Sequence, residues 1–116
     1  MSFLGRLLGA DAAGATDVDV QTAHTMHQQE GALLIDVREP HEFRHGHAKG
    51  ARNIPLGQLA QRIAEIRKDC TVLVICQSGN RSKVGCHILR RQEFADVRNV
   101  SGGTHAWQRA GLPLHR

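Results

Sequence analysis

The sequence predicts an α/β domain built on a mostly parallel β-sheet. Two apolar runs carry this reading, residues 32–37 and 71–75, each continuous as in strands buried on both faces. Other segments repeat their apolar residues at helical spacing, so strands alternate with helices and imply βαβ units. In such sheets ligands bind beyond the carboxyl ends of the strands. Two polar residues mark those ends, Asp36 and Cys76.

Residues 1–16 read as a flexible N-terminal segment, with the domain proper over residues 17–116. Phe3, Leu4, Leu7 and Leu8 would allow this segment to form a short docking helix instead. Val18 to Val20 is a short strand. Thr22 then caps a helix over residues 23–29, which Gly31 ends. After the strand at 32–37, Glu39-Pro40 opens a turn and a short helix through Phe43. Residues 51–54 are a weak strand stopped by Pro55.

Leu56, Leu59, Ala60, Ile63 and Ile66 recur at helical spacing, opposite a polar face of Gln58, Gln61, Arg62 and Glu65. Residues 71–75, rich in β-branched side chains, suit a central strand. A long helix is expected over residues 81–92, burying Val84, Ile88 and Leu89 and packing closely at Gly85. Residues 96–100 are the last strand. A short helix over 104–109 is ended by Gly111 and Pro113.

The composition narrows the function classes. The chain has 116 residues, 41% hydrophobic and 22% charged, which suits one globular domain with its own core. Fifteen Lys and Arg against eleven Asp and Glu give a net charge of +4, spread along the chain. That is mild attraction for anions, not a nucleic-acid footprint. Aromatics, at 3%, are too few to stack single-stranded bases. No run reaches the ~20 apolar residues of a membrane span. The odd set of Cys70, Cys76 and Cys86 favours a reducing compartment, so a cytoplasmic location is expected. No motif implies a cofactor or a metal. His41, His45 and His47 match no zinc spacing and read as surface or loop residues.

The chemistry gathers at Cys76. It follows the strongest strand and precedes the short polar run Gln77-Ser78-Gly79-Asn80-Arg81-Ser82, after which a helix begins. A loop of this kind turns its backbone N–H groups inward. Gly79 lets the chain curl, and the helix start adds its positive end. The result is an anion nest around one sulfur. A free thiol has a pKa of about 8.5; inward donors and a nearby guanidinium favour the thiolate, which is the nucleophile. The same cradle would hold a persulfide anion. Cys76 would thus take sulfur from a donor and pass it to a second nucleophile in a ping-pong cycle. This reading demands a sulfur that solvent can reach, ringed by donors and not by carbonyls.

Four motifs, in order and in register, resemble the rhodanese family over about residues 17–115. They are Asp36-Val37-Arg38-Glu39 followed by Glu42-Phe43; residues 46–55, from Gly46-His47 to Ile54-Pro55; the loop from Cys76 to Ser82; and Gly102-Gly103, Trp107 and residues 110–113. The resemblance implies a five-stranded parallel sheet, ordered 3-2-4-5-1, with helices on both faces. It implies a sulfurtransferase with Cys76 as the persulfide-bearing residue and Gln77, Ser78, Gly79, Asn80, Arg81 and Ser82 as the binding loop. Arg81 would also order the loop through hydrogen bonds. Asp36 and Arg38 would support it or line the pocket. The implied partners are a small sulfur donor, such as thiosulfate or a polysulfide, and a thiol, cyanide or protein acceptor.

Two positions depart from the family pattern. Some thiosulfate-using members carry basic residues just after the cysteine, whereas Gln77 and Ser78 are neutral, which weakens the case for thiosulfate as the physiological donor. Ala48 replaces a larger aliphatic residue, a matter of packing.

The remaining cysteines have plain readings. Cys86 packs on the helix and Cys70 lies at the far end of the Cys76 strand, too distant for a disulfide. Trp107 anchors the last helix in the core. Two other functions stand beside sulfur transfer: a non-catalytic sulfur-carrier or binding module, and a cysteine-dependent phosphatase or arsenate reductase. The phosphatase loop places five residues between Cys and Arg; here four lie between Cys76 and Arg81.

Overall fold

A computed structural model describes residues 16–116. The expectations for a flexible tail or docking helix at the N-terminus concern residues 1–15 and lie outside the described residues. The main sheet has five parallel strands: β1 (Asp17–Val18), β2 (Leu33–Asp36), β4 (Arg52–Asn53), β5 (Val72–Ile75) and β6 (Val97–Val100). Their order across the sheet is β1-β6-β5-β2-β4. With the five strands counted in sequence, this is the expected 3-2-4-5-1 order read from the other edge. β5 is central and all four of its residues are buried, as its unbroken apolar run requires.

Alternate residues along the strands feed two apolar layers. On one face Ile35, Val72 and Val74 pack with Leu59, Cys86 and Leu89. They meet helix α3 (Leu56–Leu59) and helix α4 (Asn80–Arg91). On the other face Leu34, Leu73 and Ile75 pack with Ala23, Met26 and Trp107, from α1 (Val20–Glu30) and α5 (Gly103–Arg109). A short helix, α2 (Pro40–Arg44), follows β2 and opens with a capping box between Glu39 and Glu42. Gly85 on α4 faces Val74, where an added Cβ would lie 3.1 Å from a valine methyl. A side chain there would fit only if the valine or the helix gave way by a few tenths of an ångström.

Four local expectations need correction. The first helix starts at Val20, so the strand before it is only two residues long. Its cap is Asp19, whose carboxylate accepts from the Thr22 amide at 2.8 Å; this bond outcompetes a strand continued through residue 20. Second, the segment after Pro55 is α-helical for four residues and then continues as a 3-10 helix over Ala60–Glu65. Ala60, Ile63 and Ile66 recur every third residue, the period a 3-10 turn satisfies. Third, Val84 is 51% exposed. The buried stripe of α4 is Ser82, Gly85, Cys86 and Leu89, and Val84 lies about 100° around the helix from Gly85. Fourth, an unexpected two-stranded antiparallel pair joins β3 (His47–Ala48) to β7 (Leu114–His115).

Candidate active site

Parallel pairing sets the ends of β2 and β5 side by side. Asp36 is in register with Ile75, and the Val37 amide donates to the Ile75 carbonyl at 3.0 Å. Cys76 is the next residue. The chain then turns through Gln77, Ser78 and Gly79 before α4 begins at Asn80. Gly79 has φ 104°, a backbone region that side chains oppose.

That turn aims donors at the sulfur. The Gly79 amide donates to Cys76 Sγ at 3.1 Å and the Ser82 amide at 3.3 Å. The Ser82 hydroxyl lies 3.3 Å away. The carbonyls of Cys76 and Gln77 are held by other donors. The Thr104 amide donates to the Cys76 carbonyl at 2.8 Å and the His105 amide to the Gln77 carbonyl at 3.0 Å. The Thr104 hydroxyl adds a third bond, to the Cys76 carbonyl, at 3.0 Å. The first turn of α5 thus holds these two carbonyls, leaving amides for the sulfur. The approach is close: a Cβ on Gly103, at φ 61°, would lie 2.5 Å from the Cys76 carbonyl oxygen.

Burial acts to raise the Cys76 thiol pKa. The Ser82 hydroxyl and the Ser82, Gly79 and Ser78 amides outweigh it, and the net direction is downward. Donors ring the sulfur, as the sequence reading demanded. Free access to solvent does not follow: Cys76 is only 1% exposed. Cys76 also packs into the apolar layer with Val37 and Cys86, which buries the sulfur as well as cradling it. Gln77, Ser78 and Asn80 form the loop's exposed outer surface, while Gly79 and Ser82 are buried.

Asp36 and Arg38 support the loop from the side. Asp36 is fully buried and Arg38 is 3% exposed. Arg38 donates from Nε to both Asp36 carboxylate oxygens at 3.1 Å and from Nη2 to Oδ2 at 2.9 Å. Its remaining donors reach Gln77 Oε1 at 3.1 Å and the Gly46 carbonyl at 2.9 Å. Asp36 therefore aims Arg38, and Arg38 holds Gln77. Arg81 finds its partner on another element. Its guanidinium bonds Glu42 of α2, at 2.8 and 2.9 Å, so it ties the start of α4 to α2 and makes no hydrogen bond to a loop carbonyl. A rigid fork matches a carboxylate better than single carbonyls. Hydrogen bonding from Arg81 holds the Glu42 carboxyl down at about 2.

The other cysteines are free thiols. Burial pushes Cys86 up to about 12. His45 and His47 each hydrogen-bond through Nδ1 to a backbone carbonyl, and His47 stacks on Phe43 at 3.6 Å between ring centroids. Trp107 is fully buried, and its indole N–H donates to the Pro113 carbonyl at 2.8 Å. Three residues of the site carry no role in the sequence reading: Glu42, Thr104 and Asn99. Glu42 and the Gly102-Gly103 pair stand within the quoted motifs. Asn99 is one polar residue in a strand and gives no signal.

A family model described as the rhodanese-like domain matches residues 19–110. The thiosulfate sulfurtransferase GlpE of Vibrio cholerae is 37% identical over 97 residues, 84% of this chain and 92% of that protein. The uncharacterized protein YqhL of Bacillus subtilis is 50% identical over 76 residues, 66% of this chain. That match spans 60% of YqhL, less than two thirds of its length. Among solved structures, a rhodanese-related protein from Thermoplasma volcanium superposes with a TM-score of 0.75 at 27% identity, over 85% of this chain and 96% of that one.

Proposed function

The chain belongs to the rhodanese-like domain family, and on that footing we propose that it is a sulfurtransferase carrying sulfane sulfur as a persulfide on Cys76. The observation that supports this most directly is the ring of amides around Cys76 Sγ, with Gly79 N–H at 3.1 Å and Ser82 N–H at 3.3 Å. Such donors favour an anion on sulfur, whether thiolate or persulfide. Because these donors favour ionisation of the sulfur, the cycle is written without a separate general base.

The cycle balances in two steps. The Cys76 thiolate attacks the outer sulfur of a donor such as thiosulfate; a new S–S bond forms, the donor's S–S bond breaks, and sulfite leaves with the electron pair. A nucleophile then attacks the terminal sulfur of the persulfide. Cyanide leaves as thiocyanate, or a thiolate leaves as its own persulfide, and the Cys76 thiolate returns. Because Cys76 is 1% exposed, a donor must present its outer sulfur end-on, past the exposed Gln77 and Ser78.

Intact-mass measurement after incubation with thiosulfate or polysulfide tests the proposal. We expect a gain of one sulfur, about 32 Da, removed by dithiothreitol and absent in Cys76→Ala. No gain from any sulfane donor, or an undiminished gain in Cys76→Ala, refutes it.

A further inference from the structure

Ser82 and Asn99 carry a hydrogen-bond problem that one arrangement cannot solve. The Ser82 hydroxyl has a single proton. It lies 3.3 Å from Cys76 Sγ and 2.5 Å from Asn99 Oδ1. Ser82 is fully buried and Asn99 is 2% exposed, so water does not readily stand in. Asn99 Nδ2 is buried and has no hydrogen-bond partner among the described residues, an uncommon state for a buried amide.

With Cys76 protonated, the chain of bonds runs outward. Sγ–H donates to Ser82 Oγ, and the hydroxyl donates to Asn99 Oδ1. An ionised sulfur has no proton to give and draws the hydroxyl towards itself. Ser82 Oγ then faces Asn99 Oδ1 with no proton between them, two acceptors at contact distance. Half a turn of the amide replaces Oδ1 by Nδ2–H, which donates to Ser82 Oγ. The two ends of the amide are nearly the same size, and only the Ser82 bond holds the present orientation.

We propose that Asn99 is a positioning residue for Cys76, reversing the Ser82 hydrogen bond between the thiol and the sulfur-anion states. One hydroxyl thereby serves the resting cysteine, the thiolate and the persulfide. No proton travels along the chain. The proton that Cys76 loses passes to water, while the hydroxyl and the amide only rotate. The inference rests on the reading of Cys76 as the sulfur carrier.

Other charges act on the same titration. The Asp36–Arg38 pair stands at the end of β2, Arg81 on α4 couples to Cys76 and pairs with Glu42 of α2, and His105 on α5 follows the loop-binding Thr104. Asp17 of β1 and Lys83, His87 and Arg90 of α4 line a cleft beside Asn99. The test holds all of these constant.

The titration midpoint of Cys76 is read from the pH dependence of its alkylation rate in a Cys70→Ser background; Cys86, pushed up to about 12, stays silent. Ser82→Ala should raise the midpoint by about one unit, the loss of one hydrogen bond to a charged group. Asn99→Asp should raise it further than Ser82→Ala, because both carboxylate oxygens capture the hydroxyl and the added negative charge disfavours the sulfur anion. The double variant should rise no further than Asn99→Asp alone; a double shift equal to the sum of the singles overturns the proposal. In the unmodified protein, nuclear Overhauser contacts between the Asn99 amide protons and the Ser82 β-protons should appear on ionisation or sulfur loading. An amide that keeps one orientation throughout also overturns it. Intact mass separates the two readings: a chain that never gains sulfur sinks the carrier role, whereas normal loading with additive shifts sinks only the relay.

Discussion

Cys76 and Cys86 are each 1% exposed, yet their thiols move in opposite directions. Cys86 meets apolar neighbours, and burial drives it up to about 12. Cys76 meets amides and a hydroxyl, which outweigh its own burial. Donors, not exposure, therefore decide which cysteine reacts. At neutral pH a sulfane donor should load Cys76 and leave Cys86 untouched, as peptide mapping of the loaded protein would reveal; sulfur on Cys86 would contradict this. Glu42 offers a second test at this scale. Its folded pKa, about 2, lies below the ordinary 4.5, so its pairing with Arg81 stabilises the fold fully above about pH 4.5. That contribution fades as pH falls through the folded value. Arg81 is 39% exposed on its side chain, so the gain is discounted to about 1 kcal/mol. Urea midpoints should fall less steeply with acid in Glu42→Gln than in the parent; parallel acid limbs would show that the pair adds nothing. The sequence places Cys76 through its loop. It does not pair Glu42 with Arg81, because 39 residues separate them and many acids could serve.

The active loop owes its shape to an element far along the chain. The amides of Thr104 and His105 hold two of its carbonyls, and the close passage at Gly103 makes that possible. Gly103→Ala should combine a left-handed backbone cost of about 1–2 kcal/mol with displacement of the loop. Gly111 makes a fair comparison: its φ is 72°, but nothing lies within 4 Å of an added Cβ. Gly111→Ala should lower the urea midpoint and leave sulfur loading of the folded protein intact, whereas Gly103→Ala should lower both. Equal loading in the two variants would mean that the α5 contact does not shape the cradle. Elements were legible where one strong signal ruled. β2 and β5 follow from continuous apolar runs, and the extent of α4, though not its buried stripe, from periodicity. The boundary at Asp19 was missed because a cap and a strand end compete for the same residue. The β3–β7 pair, two residues a side, leaves no periodicity to read.

Topology assembles the site at the scale of the whole molecule. With β5 between β2 and β6, the carboxyl ends of three strands converge. Asp36 and Arg38 come from the first, Cys76 from the second, and Asn99 and Gly103 from the third or just beyond it. The parallel sheet and its carboxyl-end site were legible from alternation alone; the strand order came only with the family motifs, because apolar runs do not say which strands are neighbours. Charge adds a second global effect. A net charge of +4 draws small anions to the molecule, and added salt weakens that pull. Yet the exposed surface over Cys76 is neutral: Gln77 is held by Arg38, and Ser78 stands exposed. The general field can gather a dianion without orienting it at the sulfur. Ser78→Lys supplies the missing local charge. At about 1 kcal/mol for a solvated pair, it should lower KM for thiosulfate roughly fivefold. Its effect on kcat should be small, because Ser78 contributes only its backbone to the cradle. The gain should shrink as ionic strength rises, and a donor without a sulfonate end should show little of it. If KM for thiosulfate does not move, the dianion does not approach the sulfur across Ser78, and the neutrality of that surface has no bearing on donor choice.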